Sequence, residues 1–299
     1  RAQRLPKGPN SPKMAFAALL AVAAVLSFVM GVFGAAAVKC MARISHKWVL
    51  LGNAAAGGVL IGVSLVHMLS ENAGEMQGLG KGINAALGGE SDEAFPLGFV
   101  LAGLGFFLIT ALEQLLGSHE HGEGEGSHGD DSESEGSSQA SVESDHAALS
   151  RSKGSALAGL GTLIGVSIHS IIESVALGAS RSVGALSTLL AAILFHKTFS
   201  AFAVGSSLQG LGARRPALWW ALILLFAAAA PVGILVGAVS GDALEGESSA
   251  ALQCLASGTL LAIGITEMLV PALEGSKTHR TRRLVAALLA FVGVSLLAV

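Results

Sequence analysis

The distribution of apolar and polar positions divides the chain into eight long apolar runs joined by polar connections. The runs are Met14–Val38, Trp48–Leu69, Phe95–Leu116, Ala156–Ala179, Val183–Leu208, Ala217–Val239, Ser249–Leu273 and Leu284–Val299. A helix needs about 20 apolar residues to cross the hydrocarbon of a bilayer, so each run predicts one spanning helix, the last being short. Helices are required because every backbone donor and acceptor must be satisfied within its own segment when no water is available. No β-barrel alternation is visible. The expectation is an all-α membrane protein with eight transmembrane helices. Met14–Val38 is about twice as long as a signal-peptide core and reads as a span, although Ala35–Ala37 imitates a cleavage site.

The pattern also divides the chain into regions. Residues 1–13 form a tail, 14–116 carry spans one to three, and 156–299 carry spans four to eight. Between them, 117–155 is rich in Gly, Ser, Asp and Glu and contains His119, His121, His128 and His146. Such a segment cannot bury enough apolar surface to fold alone and is expected to be a disordered, acidic cytoplasmic loop. Its histidines are candidates for metal sensing; the bland alternative is a solvated linker with incidental histidines. The chain starts at Arg1 and not at Met, which suggests a missing upstream part.

Composition agrees with the runs. Of 299 residues, 52% are hydrophobic and 13% charged, against about 25% charged in soluble domains. The 39 glycines suit helices that approach one another closely, since lipid gives helices no hydrophobic reason to associate. Gly58 with Gly62, Gly161 with Gly165, and Gly233 with Gly237 have the spacing for it. The net charge of -3 resides largely in one loop, and nothing implies nucleic acid. With only Cys40 and Cys254, neither a disulfide framework nor a cysteine metal cluster can be built.

Charge also orients the spans. The odd-numbered connections hold eleven Lys and Arg residues, and the N-terminal tail with the even-numbered connections holds six. Cytoplasmic loops carry the excess of positive charge, so the odd connections should face the cytoplasm and both termini the outside.

The chemistry concentrates in spans four and five. In GVSIHSIIESVALG, residues 165–178, His169 and Glu173 stand four apart on one helix face. Ionisable groups cost about 2.5 to 3.5 kcal/mol each at mid-membrane, which makes them functional candidates by default. His169 is the fourteenth residue of its run and His196 the fourteenth of the next. Spans four and five are antiparallel neighbours, so both imidazoles should lie at one depth near the midplane. Two imidazoles and a carboxylate supply three ligands for a zinc-like cation; water, Ser200 or a residue from another helix could complete the set. The bland reading is hydrogen bonding across the bundle without metal, and a proton relay is a further alternative.

The His-x-x-x-Glu of span four, the following Ala176-Leu177-Gly178, and His196-Lys197 in span five together resemble the ZIP family of zinc and iron transporters, His-Lys animal-type subgroup. Eight spans and a histidine-bearing third connection resemble it too. The resemblance implies a mid-membrane metal site on helices four and five, with His169, Glu173 and His196 as ligands and Zn2+ (or Fe2+ or Mn2+) as the transported substrate. No prosthetic group is implied. Many members carry further ligands where this chain has Ser170, Lys197 and Ser200. An ammonium at Lys197 would repel a second dication and could pair with Glu173, so one ion is expected and not two. The resemblance also assigns His67, Glu71 and Glu75 to the outer mouth, and Glu113 and Glu267 to the inner exit. Pro231 is expected to kink span six. It implies homodimerisation and a plasma membrane more than an organelle. Two competing classes stay open at the level of residues. An intramembrane metal hydrolase would need a dedicated general base, and no His-Glu-x-x-His motif is present. The other is a metal-independent, proton-coupled solute carrier.

Overall fold

The computed structural model describes residues 12–90, 93–117, 139–240, 244, 246–274 and 277–297. Its ten main helices are α1 (Pro12–Ile44), α2 (His46–Glu75), α3 (Gln77–Ala86), α4 (Leu97–Gly117), α5 (Gln139–Ala179), α6 (Val183–Ser207), α7 (Gln209–Arg214), α8 (Pro216–Ser240), α9 (Glu247–Ala272) and α10 (Lys277–Leu297). No strand occurs among the described residues. Seven of these helices, α1, α2, α4, α5, α6, α8 and α9, contain stretches long and apolar enough to span a membrane. The eighth predicted span is the apolar part of α10. Its first turns carry Lys277, Arg280, Arg282 and Arg283, which belong to an interface more than to hydrocarbon.

Most of the interior of the bundle is apolar. Val59, Leu60, Val166, Ala203, Val204, Phe226, Ala256 and Leu260 bury themselves together at 0 to 5% exposure, while Phe33, Phe107, Leu225 and Leu289 point outward. An outward apolar shell around a close-packed interior is the pattern expected when the surrounding solvent is itself apolar. α1 lies against α6 and α8, α4 against α9, α5 against α8, and α10 against α2. The glycine spacing does what the sequence suggests at the α5–α8 crossing: a Cβ at Gly233 would sit 2.7 Å from the Ile171 carbonyl oxygen. No side chain fits there without separating the helices.

Two departures from the expected spans matter. α5 begins at Gln139 and not at Ala156; residues 139–155 contain no proline to prevent the helix from extending backward. Within α2 and α9 the helix widens to π turns at Val63–Leu69 and Ile263–Leu269. A π turn adds a residue to the ring of hydrogen bonds, re-aims the side chains that follow, and occurs often at functional sites. The π turn of α9 packs on the α-helical stretch of α2 that precedes its own turn: a Cβ at Gly57 would stand 2.9 Å from the Gly264 carbonyl oxygen.

Lys39, Arg43 and Lys47 at the α1–α2 connection, Arg214 and Arg215 before α8, and the arginines opening α10 all belong to the connections at one end of the bundle, called here the basic end.

Candidate metal centre on the fourth and fifth spans

α5 and α6 run antiparallel and bring His169, Glu173 and His196 together in the interior, at 1%, 2% and 1% exposure. Their ligand atoms all lie within 4.8 Å of one another. His196 Nε2 is 2.6 Å from Glu173 Oε1, and His169 Nε2 is 3.9 Å from Glu173 Oε2. A tetrahedral ion with bonds of about 2.1 Å holds its ligands about 3.4 Å apart, so the two distances straddle what an ion requires.

The orientation of the rings is fixed from behind. His169 Nδ1 lies 2.9 Å from Thr259 Oγ1 and 3.0 Å from the Ala256 carbonyl oxygen. The Thr259 hydroxyl already donates to that same carbonyl at 2.7 Å, so both neighbours of Nδ1 are acceptors and Nδ1 carries the proton. His196 Nδ1 donates to the Ala192 carbonyl oxygen at 2.8 Å. Each ring therefore turns its Nε2 toward Glu173: His169 Nε2 has no hydrogen-bond partner, and His196 Nε2 is in ion-pair contact with the carboxylate. Imidazoles that ligate metals use the other ring nitrogen in this way, to set tautomer and direction.

Lys197, 2% exposed, donates to Ser170 Oγ and lies 4.8 Å above the Phe226 ring. The pairing with Glu173 raised by the sequence is not formed; the ammonium is held beside it by a hydroxyl and an aromatic face. Ser170 is thereby engaged. Ser200 donates to the His196 carbonyl oxygen at 3.2 Å, back onto its own helix.

At the end opposite the basic one, His67 and Glu71 form a pair with Nδ1 2.7 Å from Oε1. They line a cleft of about 530 Å³ together with Glu75, Arg181, Thr188 and Gln253. An adjoining cavity of about 370 Å³ reaches Ala192, whose carbonyl anchors His196. Thr188 is eight residues from His196, about 12 Å along the helix.

Toward the basic end the arrangement differs. Thr162, seven residues and about 10 Å before His169, donates to Glu267 Oε2. Thr266 donates to Glu113 Oε1 at 3.1 Å, and the two carboxyl groups meet. Sequence reasoning named Glu113 and Glu267 but missed Thr162 and Thr266. It also missed a signal that was available. GGVLIGVSLVHML, residues 57–69, and SGTLLAIGITEML, residues 257–269, align at an offset of 200 with Gly, Leu, Met and Leu identical. In that register His67 falls opposite Glu267, each the fifth residue of its π turn. Because α2 and α9 run in opposite directions, the repeat is inverted and sends one member to each end of the bundle, an arrangement common in transporters. His119, His121 and His128 lie outside the described residues, as does the His146 side chain.

The sequence profile of the family described as ZIP Zinc transporter matches residues 14–299. The chain belongs to the ZIP zinc transporter family. Zinc transporter ZIP2 of Homo sapiens is 33% identical over 246 residues, covering 76% of this chain and 78% of that protein. The Mus musculus protein of the same name is 31% identical over 241 residues, covering 75% and 77%. Zinc transporter ZIP1 of Bos taurus is 26% identical over 253 residues, covering 81% and 74%. ZIP membership and the apolar helices together make this a multi-span integral membrane protein of a transporter family and not an enzyme.

Proposed function

We propose that the protein carries Zn2+ across a membrane into the cytoplasm, one ion at a time, through the site formed by His169, Glu173 and His196. The ion is cargo and not a resident cofactor. The observation that carries the reading is the pair of fully buried Nε2 atoms converging on one carboxylate, His169 Nε2 without a hydrogen-bond partner and His196 Nε2 2.6 Å from Glu173 Oε1, each ring held by its Nδ1. In a low-dielectric interior an unpaired polar nitrogen is costly, and a cation is the partner it fits. Two imidazoles with one carboxylate suit Zn2+ and accept Fe2+ less well and Mn2+ least, since the oxygen-preferring ion gains little from imidazole. With Glu173 and Lys197 opposing each other in charge, a second dication would meet the ammonium first.

The ion enters from the cleft at His67 and Glu71, passes the midplane, and leaves past Glu267 and Glu113. The excess of lysine and arginine assigns the basic end to the cytoplasm and both termini to the outside. The plasma membrane and a homodimer complete the proposal on the strength of the resemblance. Binding must offset the ion's dehydration yet permit release, so the site has to open and close in turn.

Uptake of radioactive zinc into cells tests this at matched surface expression. His169→Ala and Glu173→Ala are each expected to lower uptake by more than about 100-fold, beyond what loss of an outer-shell partner costs. Uptake equal to wild type in either variant refutes the assignment. Competition by Fe2+, Mn2+ and Cd2+ in the same assay sets the order of preference.

A further inference from the structure

Away from the transport site, the basic end carries a cavity of about 330 Å³ where the end of α1 meets α7 and the start of α8. Lys39, Arg43, Gln209, Gly212 and Trp219 line it, and no carboxylate is among its described lining residues. Trp219 is 1% exposed, and its indole N–H is buried without a hydrogen-bond partner. Gly212 lies over the face of the Trp219 pyrrole ring, where a Cβ would stand 2.9 Å from Cδ1 and 3.3 Å from Nε1, so glycine lets α7 approach the indole closely. Lys39 Nζ sits 3.9 Å from the centre of the same ring and 5.1 Å from that of Trp220. The two indoles pack edge to face with centroids 4.9 Å apart. The cation is therefore held at the cavity by aromatic faces and not by an acid, and Arg43 is exposed beside it.

Two cations and an amide line one space at the level where a helix bundle leaves the hydrocarbon. Donors and positive charge without an acid fit a phosphate ester, and basic cavities between helices at the cytoplasmic face suit anionic lipid headgroups. Tryptophan at the same place is the residue that favours the membrane interface. We infer that this cavity binds the phosphate headgroup of an anionic phospholipid of the inner leaflet, through Lys39 and Arg43. The leaflet follows from the orientation proposed above; the phosphate chemistry does not depend on it. The lipid is positioned against α1 and α8, which frame α5 and α6.

The full chain, purified in detergent, is presented with phosphatidylinositol 4-phosphate or phosphatidylcholine, and retained lipid is counted by native mass spectrometry. The wild type is expected to retain the phosphoinositide about tenfold better than phosphatidylcholine. Lys39→Gln with Arg43→Gln should remove most of that preference. A second basic cavity at the same end, lined by Lys47, Trp48, His279, Arg282 and Arg283, provides the control. Lys47→Gln with Arg282→Gln should leave retention unchanged. The inference is overturned if the phosphoinositide is held no better than phosphatidylcholine, or if the Lys39/Arg43 double variant, still monodisperse, retains it like wild type. It is equally overturned if the control variant loses as much, which would make the attraction diffuse charge. Displacement of the lipid by millimolar inorganic phosphate would also overturn it, by showing a free-anion site in place of a lipid one.

Discussion

The π turn of α2 and the π turn of α9 occupy matching positions 200 residues apart in register, yet their fifth residues meet different surroundings. His67 is 20% exposed and its partner Glu71 55% exposed, at an open cleft. Glu267 is half-buried and fully engaged, with Thr162 donating to it and Glu113 alongside. The same backbone device thus presents an open pair at one end and a closed, hydroxyl-braced acid pair at the other. In an inverted repeat the two ends share a scaffold and differ only in what fills it. The proposed transport reading assigns capture to the open pair and closure to the braced one. The buried cluster of His169, Glu173 and His196 lies between, about 10 Å along α5 from Thr162 and about 12 Å along α6 from Thr188 by helix rise.

The largest perturbation is to the scaffold that both turns share. Gly57→Val places branched carbon against the Gly264 carbonyl oxygen and the Leu269 backbone nitrogen, 2.9 and 3.1 Å from the new Cβ. Overpacking of this kind costs about 1 to 3 kcal/mol. The melting temperature in detergent should fall by several degrees, with zinc uptake lost beyond what surface expression explains. An unchanged melting temperature would mean that the two turns do not depend on each other.

A smaller effect is expected at the closed end. Glu267→Gln keeps the shape and a Thr162 contact but removes the charge that draws the ion inward. The maximal uptake rate should drop about tenfold, the equivalent of 1.4 kcal/mol, with the half-saturating zinc concentration little changed. A raised half-saturation at unaltered maximal rate would reverse the roles assigned to the two ends.

At the open end the effect should be smallest. His67→Ala removes one water-exposed partner and should raise the half-saturating concentration about threefold, leaving the maximal rate intact, since exposed pairs contribute about 1 kcal/mol or less. A fall in maximal rate would place His67 in the translocation step.

The midplane triad was legible because two simple rules reach it. Residues four apart share a helix face, and fourteenth positions in antiparallel neighbours share a depth. The eight runs were legible because lipid demands them. What sequence reasoning missed lies in contacts between distant segments. The anchors of His169 come from α9, 87 and 90 residues away, and no local pattern forecasts them. Lys197 could be seen to bear on a second ion, but its choice of Ser170 and Phe226 over Glu173 depends on how α5, α6 and α8 cross. The π turns carry no signature in a single segment and emerge only when residues 57–69 are set beside 257–269. Thr162 and Thr266 look like ordinary small residues in apolar helices until the carboxylates arrive next to them.

The central claim is that two imidazole Nε2 atoms and one carboxylate hold the ion. X-ray absorption at the zinc edge tests it most directly, on zinc-loaded protein in which His119, His121, His128 and His146 are replaced by alanine to remove competing sites. The account predicts two imidazole nitrogens and carboxylate oxygen at about 2.0 to 2.2 Å, with one imidazole lost in His196→Ala. An all-oxygen shell, or a spectrum that His169→Ala and His196→Ala both leave unchanged, would contradict it.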